Sequence, residues 1–197
     1  MENKKYLKTS DLTKIALLVA LLAASSYISI PLPFTPIVIT AQSIVINLVG
    51  LILTPGQAAI TVGTWILLGA VGLPVFSGGA GGLGKLFGPT GGYILGYFLA
   101  AIVISVLKGK KNQMFRYCVV TIIPGMPIIY LFGTVYMKVL TGLNWKAAIV
   151  SGVVPFIPGD IVKCIVAGMI AVVLNKALLG LESNSMISRK NIENQKE

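Results

Sequence analysis

Two opposite charges stand one helical turn apart in an otherwise apolar stretch near the carboxyl end of the chain. They are Asp160 and Lys163, which follow Pro158 and precede a run of aliphatic residues. Taking either charge out of water costs about 3 kcal/mol even on lenient membrane-insertion scales. Such charges face a cavity, pair with each other or hold a ligand. The spacing therefore predicts either a polar ligand site or an intrahelical ion pair in which Asp160 caps the helix.

The composition is that of an integral membrane protein. Of the 197 residues, 55% are hydrophobic and only 11% are charged, and the mean hydropathy is +0.88; a soluble domain has about 25% charged residues. The apolar runs are continuous rather than alternating, which favours helices over a β-barrel. The sequence has no histidine, which excludes Ser-His-Asp catalysis, HExxH zinc sites and histidine proton relays. We interpret the two cysteines, Cys118 and Cys164, as small hydrophobic residues.

Six membrane spans are predicted from hydropathy and from the positions of proline and glycine. The second and third are short for a membrane of about 30 Å, so we expect them to tilt or to span only in part. A proline-rich loop follows the first span, a glycine-rich loop precedes the fourth, and a short helix is expected before the sixth. The predicted spans are residues 12–30, 41–53, 57–72, 91–107, 117–137 and 158–178.

Lysine and arginine predict the orientation of the chain. The amino terminus, the loop at residues 108–116 and the carboxyl end hold four basic residues each, 12 of the 16 in the sequence. The positive-inside rule then puts both termini in the cytoplasm of a bacterial-type cell, with the chain crossing the cell membrane several times. It also accounts for the net charge of +10 without a nucleic-acid partner. Residues 1–182 are predicted to form one transmembrane domain, and residues 183–197 a polar, mostly disordered cytoplasmic tail.

Three unusual segments lie toward the outer face in this topology. They are the proline-rich loop, the glycine-rich loop, and the start of the last span with Asp160 and Lys163. Irregular backbone at membrane depth is tolerated only where it is buried in protein or lines a cavity. We therefore expect an all-α membrane protein of six transmembrane helices with an outward-facing substrate pocket.

The glycine-rich loop matches two nucleotide-binding motifs by chance. Both GxGxxG and the start of a Walker A motif begin at Gly79, but the first lacks its strand and its acidic residue, and Leu86 stands where the second needs Ser or Thr. Glycines here let the backbone approach a ligand or another helix closely. We expect Gly79, Thr90 and Tyr93 to contact a substrate, with close helix packing as the alternative for the glycines, including Gly92 and Gly96.

The same loop carries a family resemblance. The stretch GGAGGLGKLFGPTGGY at residues 78–93 resembles the signature of the BioY family, the biotin-binding S components of energy-coupling-factor (ECF) vitamin transporters. The resemblance extends to PLPFTP at residues 31–36 and PGDIVK at residues 158–163, and it covers about residues 10–180. It implies the ECF S-component fold, with six membrane helices and an outward pocket for biotin that the loop after the first helix closes.

The resemblance also implies a set of ligand contacts. In the family an aspartate and a lysine of the last helix contact the substrate, and Asp160 and Lys163 take that role here. A carboxylate and an ammonium complement the N–H groups and the carbonyl of biotin's ureido ring. Lys85, the cation of the glycine-rich loop, is the candidate partner for the biotin carboxylate. Gln42 could add an amide contact or could simply tie helices together. No covalent chemistry, cofactor or metal is expected of this chain.

A stripe of small residues on the first span predicts a partner. Ala16, Ala20 and Ala24 recur every four residues, which permits another helix to approach closely. Packing inside this chain would explain the stripe, whereas the resemblance implies a docking face for a transmembrane coupling subunit. The sequence contains no ATPase, so the resemblance implies that the coupling subunit and two ATPase subunits supply energy from ATP. Biotin and membrane lipid are the other expected partners.

Two further classes of function stay open from the residues alone. An ion-coupled secondary transporter of a small carboxylate would use Asp160 as its ion site and would need no ATPase partner. An intramembrane hydrolase would use a serine or lysine nucleophile with Lys163 as a base, although no serine is placed convincingly beside that lysine.

Overall fold

The computed structural model describes residues 8–194, and the surroundings of side chains for residues 8–180. Within that part the chain is helical apart from one short hairpin and the loops. The elements in chain order are α1 (Thr9–Ser25), β1 (Ser29–Pro31), β2 (Val38–Thr40), α2 (Gln42–Ile52), α3 (Pro55–Ala70), α4 (Leu83–Leu86), α5 (Gly91–Leu107), α6 (Met114–Val120), a π-helical turn (Thr121–Gly125), α7 (Met126–Thr141), α8 (Trp145–Gly152) and α9 (Ile157–Asn194).

The long helices fall where the apolar runs predict them. In the described part of the chain, two helical stretches, Met114–Thr141 and Ile157–Gly180, are long and apolar enough to cross a membrane by themselves. The helices Gln42–Ile52 and Gly91–Leu107 are apolar but shorter. The mainly helical architecture is thus confirmed, and the count of six spans stays a prediction.

The first helix ends earlier than predicted. α1 stops at Ser25 rather than near residue 30, because the hydroxyls of Ser25 and Ser26 donate to the last carbonyls, at 2.9 and 2.7 Å. Hydroxyl groups of this kind compete with the backbone ladder and favour helix ends. The chain then forms the antiparallel hairpin of β1 and β2, in which Ser29 pairs with Thr40. The prolines fall at the end of β1 and in the connection, where a missing N–H costs no ladder bond.

Glycines bring α5 and α7 into close contact. A Cβ atom on Gly92 would lie 2.5 Å from the carbonyl oxygen of Phe132, and one on Gly96 would lie 2.9 Å from the Cα of Ile129. Only glycine allows the two backbones to approach this far. The packing alternative is therefore confirmed for these two positions, and it sets side chains of α5 beside those of α7.

A π-helical turn joins α6 to α7 without breaking the helix. Pro124 lies inside this turn, where its missing N–H and its ring disturb the regular hydrogen-bond ladder. The Thr121 hydroxyl compensates by donating to the carbonyls of Tyr117 and Cys118, at 2.9 and 3.1 Å. Side-chain donors of this kind satisfy backbone groups that an irregular turn leaves free within a membrane.

The last helix is longer than predicted. α9 continues from Ile157 to Asn194. The prediction of a disordered tail after residue 182 is therefore wrong as far as residue 194, because these residues are helical. The residues after Gly180 include no proline or glycine, and most of them fit a helix at little cost. The predicted domain limits, residues 1–182 and 183–197, stay a prediction, and residues 195–197 lie outside the described part.

The two ends of the bundle have different characters. At one end the Lys108 ammonium donates to the carbonyl of Leu53, at the end of α2, across 2.5 Å. At the other end the backbone N–H of Gly78 donates to the carbonyl of Ser26, across 2.9 Å, which ties the glycine-rich loop to the end of α1. The basic segment at residues 108–116 and the irregular loops therefore lie at opposite ends.

Candidate substrate-binding site

A cavity lies beside the start of α9 at the hairpin end of the bundle. Its walls are β2, α2, α5, the beginning of α7 and the first turns of α9. Asp160 and Lys163 both line it, together with Tyr93 and Tyr130. The prediction that the charged pair adjoins a cavity is confirmed, and the side of the membrane to which the cavity opens stays a prediction.

The charged pair is closely coupled and largely removed from solvent. Lys163 Nζ lies 2.9 Å from Asp160 Oδ1, and each side chain is 16% exposed. The Tyr130 hydroxyl donates to Asp160 Oδ2 across 2.7 Å. Asp160 stands in the first turn of α9, where the positive end of the helix dipole favours a carboxylate. Both of the interpretations raised by the spacing hold in part, because the residues form an intrahelical pair that also faces a void.

The site is narrow in this structure. The space open to the centre of a water-sized sphere is about 40 Å³, and a single water needs about 10–15 Å³ by that measure. A bicyclic ligand with a side chain therefore requires one wall to move. The hairpin is the thinnest wall, since each of its strands has three residues. Its outer side chains Ile30 and Phe34 are 61% and 63% exposed, so little of this chain holds it from outside.

Tyr93 is the residue of the glycine signature that reaches the cavity. It is 8% exposed, and its hydroxyl donates to the carbonyl of Gly152 across 2.8 Å. Its ring packs against Gly133 of α7, where a Cβ atom would overlap it at 2.3 Å. With its hydroxyl engaged by α8, Tyr93 offers the cavity mainly an aromatic surface.

Gln42 contacts the glycine-rich loop rather than the cavity in which its ligand contact was predicted. It is 1% exposed, and its Nε2 donates to the carbonyl of Val75 across 2.9 Å. The indole N–H of Trp65 donates to the same carbonyl at the same distance. Gln42 is not among the described residues that form the cavity wall. Its geometry matches the alternative in which it ties elements together, because it anchors the glycine-rich loop to the start of α2.

Three other predicted contacts also lie away from the wall. Gly79, Lys85 and Thr90 belong to the segment at residues 73–90, and the described cavity wall contains no residue of that segment. Gly79 has φ +67° and sits against the ring of Tyr27. Thr90 precedes α5, where its side chain makes no capping hydrogen bond. The loop is instead fastened to α1 and α3 by its backbone, as the bond from Gly82 N to Gly69 O at 2.7 Å illustrates.

The alanine stripe of α1 points out of the bundle. Ala16, Ala20 and Ala24 are all exposed, whereas the opposite face of the helix, which includes Leu18 and Leu22, is buried. Packing inside this chain therefore does not explain the stripe.

Sequence reasoning missed several polar groups of the cavity. Tyr97, Asn47 and Ser43 line it along with Tyr130. A signal was present in the spacing, because Tyr97 stands one turn after Tyr93, and Asn47 one turn after Ser43, on apolar helices. Residues four apart share one face of a helix, so each pair predicts a polar patch on an otherwise apolar helix surface.

The family model described as the BioY family matches residues 1–180. This chain belongs to the BioY family. It is 36% identical over 173 residues to the biotin transporter BioY of Rhizobium etli, covering 83% of this chain and 92% of that protein. It is 38% identical over 166 residues to the biotin transporter BioY of Thermotoga maritima, covering 84% and 96%. Proteins of this family that match are named as transporters rather than enzymes.

Solved structures show the same fold. A crystal structure described as the S-component for biotin from an ECF-type ABC transporter matches with a TM-score of 0.81 and 28% identity, covering 89% of this chain and 95% of that one. A crystal structure of FolT bound with folic acid matches with a TM-score of 0.55 and 19% identity, covering 87% and 93%. The second likeness concerns the fold alone. The architecture is that of an ECF S component.

Proposed function

We propose that this chain is the biotin-binding membrane subunit of an ATP-driven vitamin uptake transporter. It captures biotin outside the cell and delivers it across the membrane together with a transmembrane coupling subunit and two ATPase subunits. The observation that carries the proposal is the cavity beside α9, where Asp160, Lys163 and Tyr130 form a hydrogen-bonded polar group in the wall. The family and the names of its transporters support the choice of biotin over other ligands.

The chemistry of the pair suits a cyclic urea. Asp160 is an acceptor for ureido N–H groups, and the Lys163 ammonium is a donor for the ureido carbonyl. The ring of Tyr93 offers a flat apolar surface beside them. The biotin carboxylate needs a further cation, and Lys85 stays a candidate only if the glycine-rich loop moves toward the cavity, since in this structure it lies off the wall.

The charge pattern supports an outward-facing cavity. The cavity lies at the hairpin end, and the basic segment that holds Lys108 and Arg116 lies at the other end of the bundle. Under the positive-inside rule the basic end is cytoplasmic. Both termini then lie in the cytoplasm, six helices span the cell membrane, and the hairpin acts as the outer cover of the site.

The exposed alanine stripe supports docking to a coupling subunit. Ala16, Ala20 and Ala24 leave a shallow track on the outer face of α1, beside the exposed side chains of Leu17 and Leu21. A helix of the partner can approach such a track closely enough for backbone packing. Energy from ATP would reach this chain through that contact.

The hydrolase alternative is not favoured by the geometry. Lys163 is paired with Asp160 at 2.9 Å, and an ammonium held in an ion pair lacks the lone pair that a general base needs. The chain binds and delivers its substrate without altering it covalently.

Ligand binding by the purified protein tests the proposal. Native mass spectrometry of the full chain in detergent should detect a co-purified molecule of the mass of biotin, and titration calorimetry of the emptied protein should show saturable biotin binding but no binding of folic acid. A folded protein that binds no biotin would refute the proposed function. Uptake into vesicles driven by an ion gradient, without ATPase subunits, would favour a secondary transporter instead.

A further inference from the structure

Unsatisfied polar atoms are concentrated at the candidate site. Among the described side chains, three buried polar atoms have no hydrogen-bond partner: Ser43 Oγ, Asn47 Oδ1 and Asn112 Oδ1. Two of the three belong to residues that line the cavity. Leaving such an atom without a partner costs about 1–3 kcal/mol, so two of them in one wall indicate that something else hydrogen-bonds there.

The position of Asn47 is fixed by its other amide atom. Asn47 is 3% exposed, and its Nδ2 donates to Cys164 Sγ across 3.4 Å. That bond orients the carboxamide, so Oδ1 is the atom left without a partner. Cys164 follows Asp160 by one helical turn on the same face of α9, and side chains at this spacing are about 5–6 Å apart at Cβ. Asn47 therefore meets α9 one helical turn beyond Asp160, and both residues line the cavity.

Ser43 extends the same wall toward the hairpin. It stands one turn before Asn47 on α2, is 8% exposed, and lines the cavity with its hydroxyl unpartnered. Together Ser43 Oγ and Asn47 Oδ1 offer two acceptors on the α2 side of the cavity, and the serine can also donate. We call these two residues the α2 wall.

We propose that the α2 wall is a second hydrogen-bonding surface for the ligand, in which Asn47 Oδ1 accepts one ureido N–H while Asp160 accepts the other. This inference rests on the proposed function, and it adds the residues that distinguish the ligand from related molecules. The two N–H groups of a cyclic urea lie on either side of its carbonyl and point away from each other, so a ring that touches both α2 and the first turn of α9 presents one N–H to each. A ligand that lacks the second N–H would leave Asn47 unsatisfied and would be rejected.

A cycle of variants and ligands tests the proposal. The ligands are biotin and two derivatives that carry a methyl group on one or the other ureido nitrogen. Asn47→Leu should weaken biotin binding about tenfold, and the penalty for methylating one of the two nitrogens should shrink in this variant while the other penalty stays. Ser43→Ala, a smaller change, should weaken biotin binding about threefold and serves as the second variant if Asn47→Leu does not fold.

The matched control is Asn112→Leu. Asn112 also has a buried unpartnered Oδ1, and its Nδ2 donates to the carbonyl of Val172 across 2.8 Å, but it lies in the basic segment and not at the cavity. This variant should bind all three ligands as the unaltered protein does. If Asn47→Leu binds biotin normally, or binds it weakly with both methylation penalties intact, Asn47 does not touch the ligand and the inference is overturned. The unaltered protein's own affinity for biotin reports separately on the proposed function.

Discussion

The Tyr130 hydroxyl lies 2.7 Å from one carboxylate oxygen of Asp160, and the Lys163 ammonium lies 2.9 Å from the other. The carboxylate is thus fixed by one partner from α7 and one from its own helix. An ionised carboxylate accepts about four hydrogen bonds, so two such partners orient it without exhausting it. A site held in this way is ready before its ligand arrives, which limits the entropy lost on binding.

Replacing Tyr130 by Phe tests the contribution of this orientation. The ring stays, one hydrogen bond to a carboxylate is lost, and we expect biotin affinity to fall about threefold to tenfold and the free energy of unfolding to fall by about 1–2 kcal/mol. Calorimetry and thermal unfolding in detergent measure the two effects. Tyr136→Phe is the control, because that hydroxyl donates to the carbonyl of Phe87 elsewhere on the same helix. Equal biotin affinities in both variants would contradict a role for Tyr130 in the site.

Replacing Asp160 by Asn removes the charge and keeps the shape. We expect biotin affinity to fall at least about tenfold, a loss of about 1.4 kcal/mol or more, because an amide is a weaker acceptor for the ureido N–H and no longer balances Lys163. Equilibrium binding to the purified protein measures it. Unchanged affinity would remove the central role assigned to this residue.

A double variant separates the ion pair from the ligand site. Lys163→Met alone leaves a largely buried carboxylate without its counter-charge, which costs about 3–5 kcal/mol when such a pair is broken. Asp160→Asn combined with Lys163→Met removes both charges, so most of that stability should return, while biotin binding should stay lost. Thermal unfolding measures the stability, and calorimetry the biotin affinity, of the unaltered protein, Lys163→Met and the double variant. If the double variant bound biotin normally, the pair would have a structural role only and would not contact the ligand.

Enlarging Ala20 to Leu tests the docking surface on α1. The added atoms point out of the bundle from an exposed position, so biotin binding by the isolated subunit should be unchanged, while assembly with the coupling subunit and ATP-driven uptake should fall at least about tenfold because the helices can no longer approach closely. Ala177→Leu, at an exposed position on α9, is the matched control. Equal uptake by both variants would place the docking surface elsewhere.

Replacing Gly79 by Ala distinguishes a ligand contact from a structural turn. Gly79 has φ +67°, and a Cβ atom there would lie 2.8 Å from the ring of Tyr27. We expect the free energy of unfolding to fall by about 1 kcal/mol or more, with biotin affinity changed less than about threefold because the residue lies off the cavity. A tenfold loss of affinity at unchanged stability would restore the contact predicted from the sequence.

The sequence predicted those features that depend on local chemistry. Continuous apolar runs located the long helices, and the residues at 91–107 matched α5 at both ends. The charges at Asp160 and Lys163 marked the cavity, since their cost in an apolar stretch is evident without knowing any neighbour. Spacing alone also pointed to close packing of the glycines on α5.

Other features depended on which elements meet, and the sequence carries little of that information. Gln42 and Asn47 are both amides on one helix, yet the first contacts the glycine-rich loop and the second lines the cavity. Tyr130 became part of the site only because its hydroxyl reaches from α7 to Asp160 on α9. The composition of the glycine-rich loop suits both a ligand contact and a tight fold. Its backbone bonds to α1 and α3 account for the fold, and the ligand contacts stay a prediction.

The π-helical turn at Thr121–Gly125 has a consequence for the direction in which Tyr130 points. Such a turn carries one residue more than an α-helical turn would, and each residue of an α-helix advances by about 100° around the axis. Deleting that one residue would keep the helix nearly the same length but swing every later side chain by about 100°. Tyr130 would then leave Asp160 and face a different neighbour, so the direction of every α7 side chain in the binding site depends on one extra residue several positions upstream.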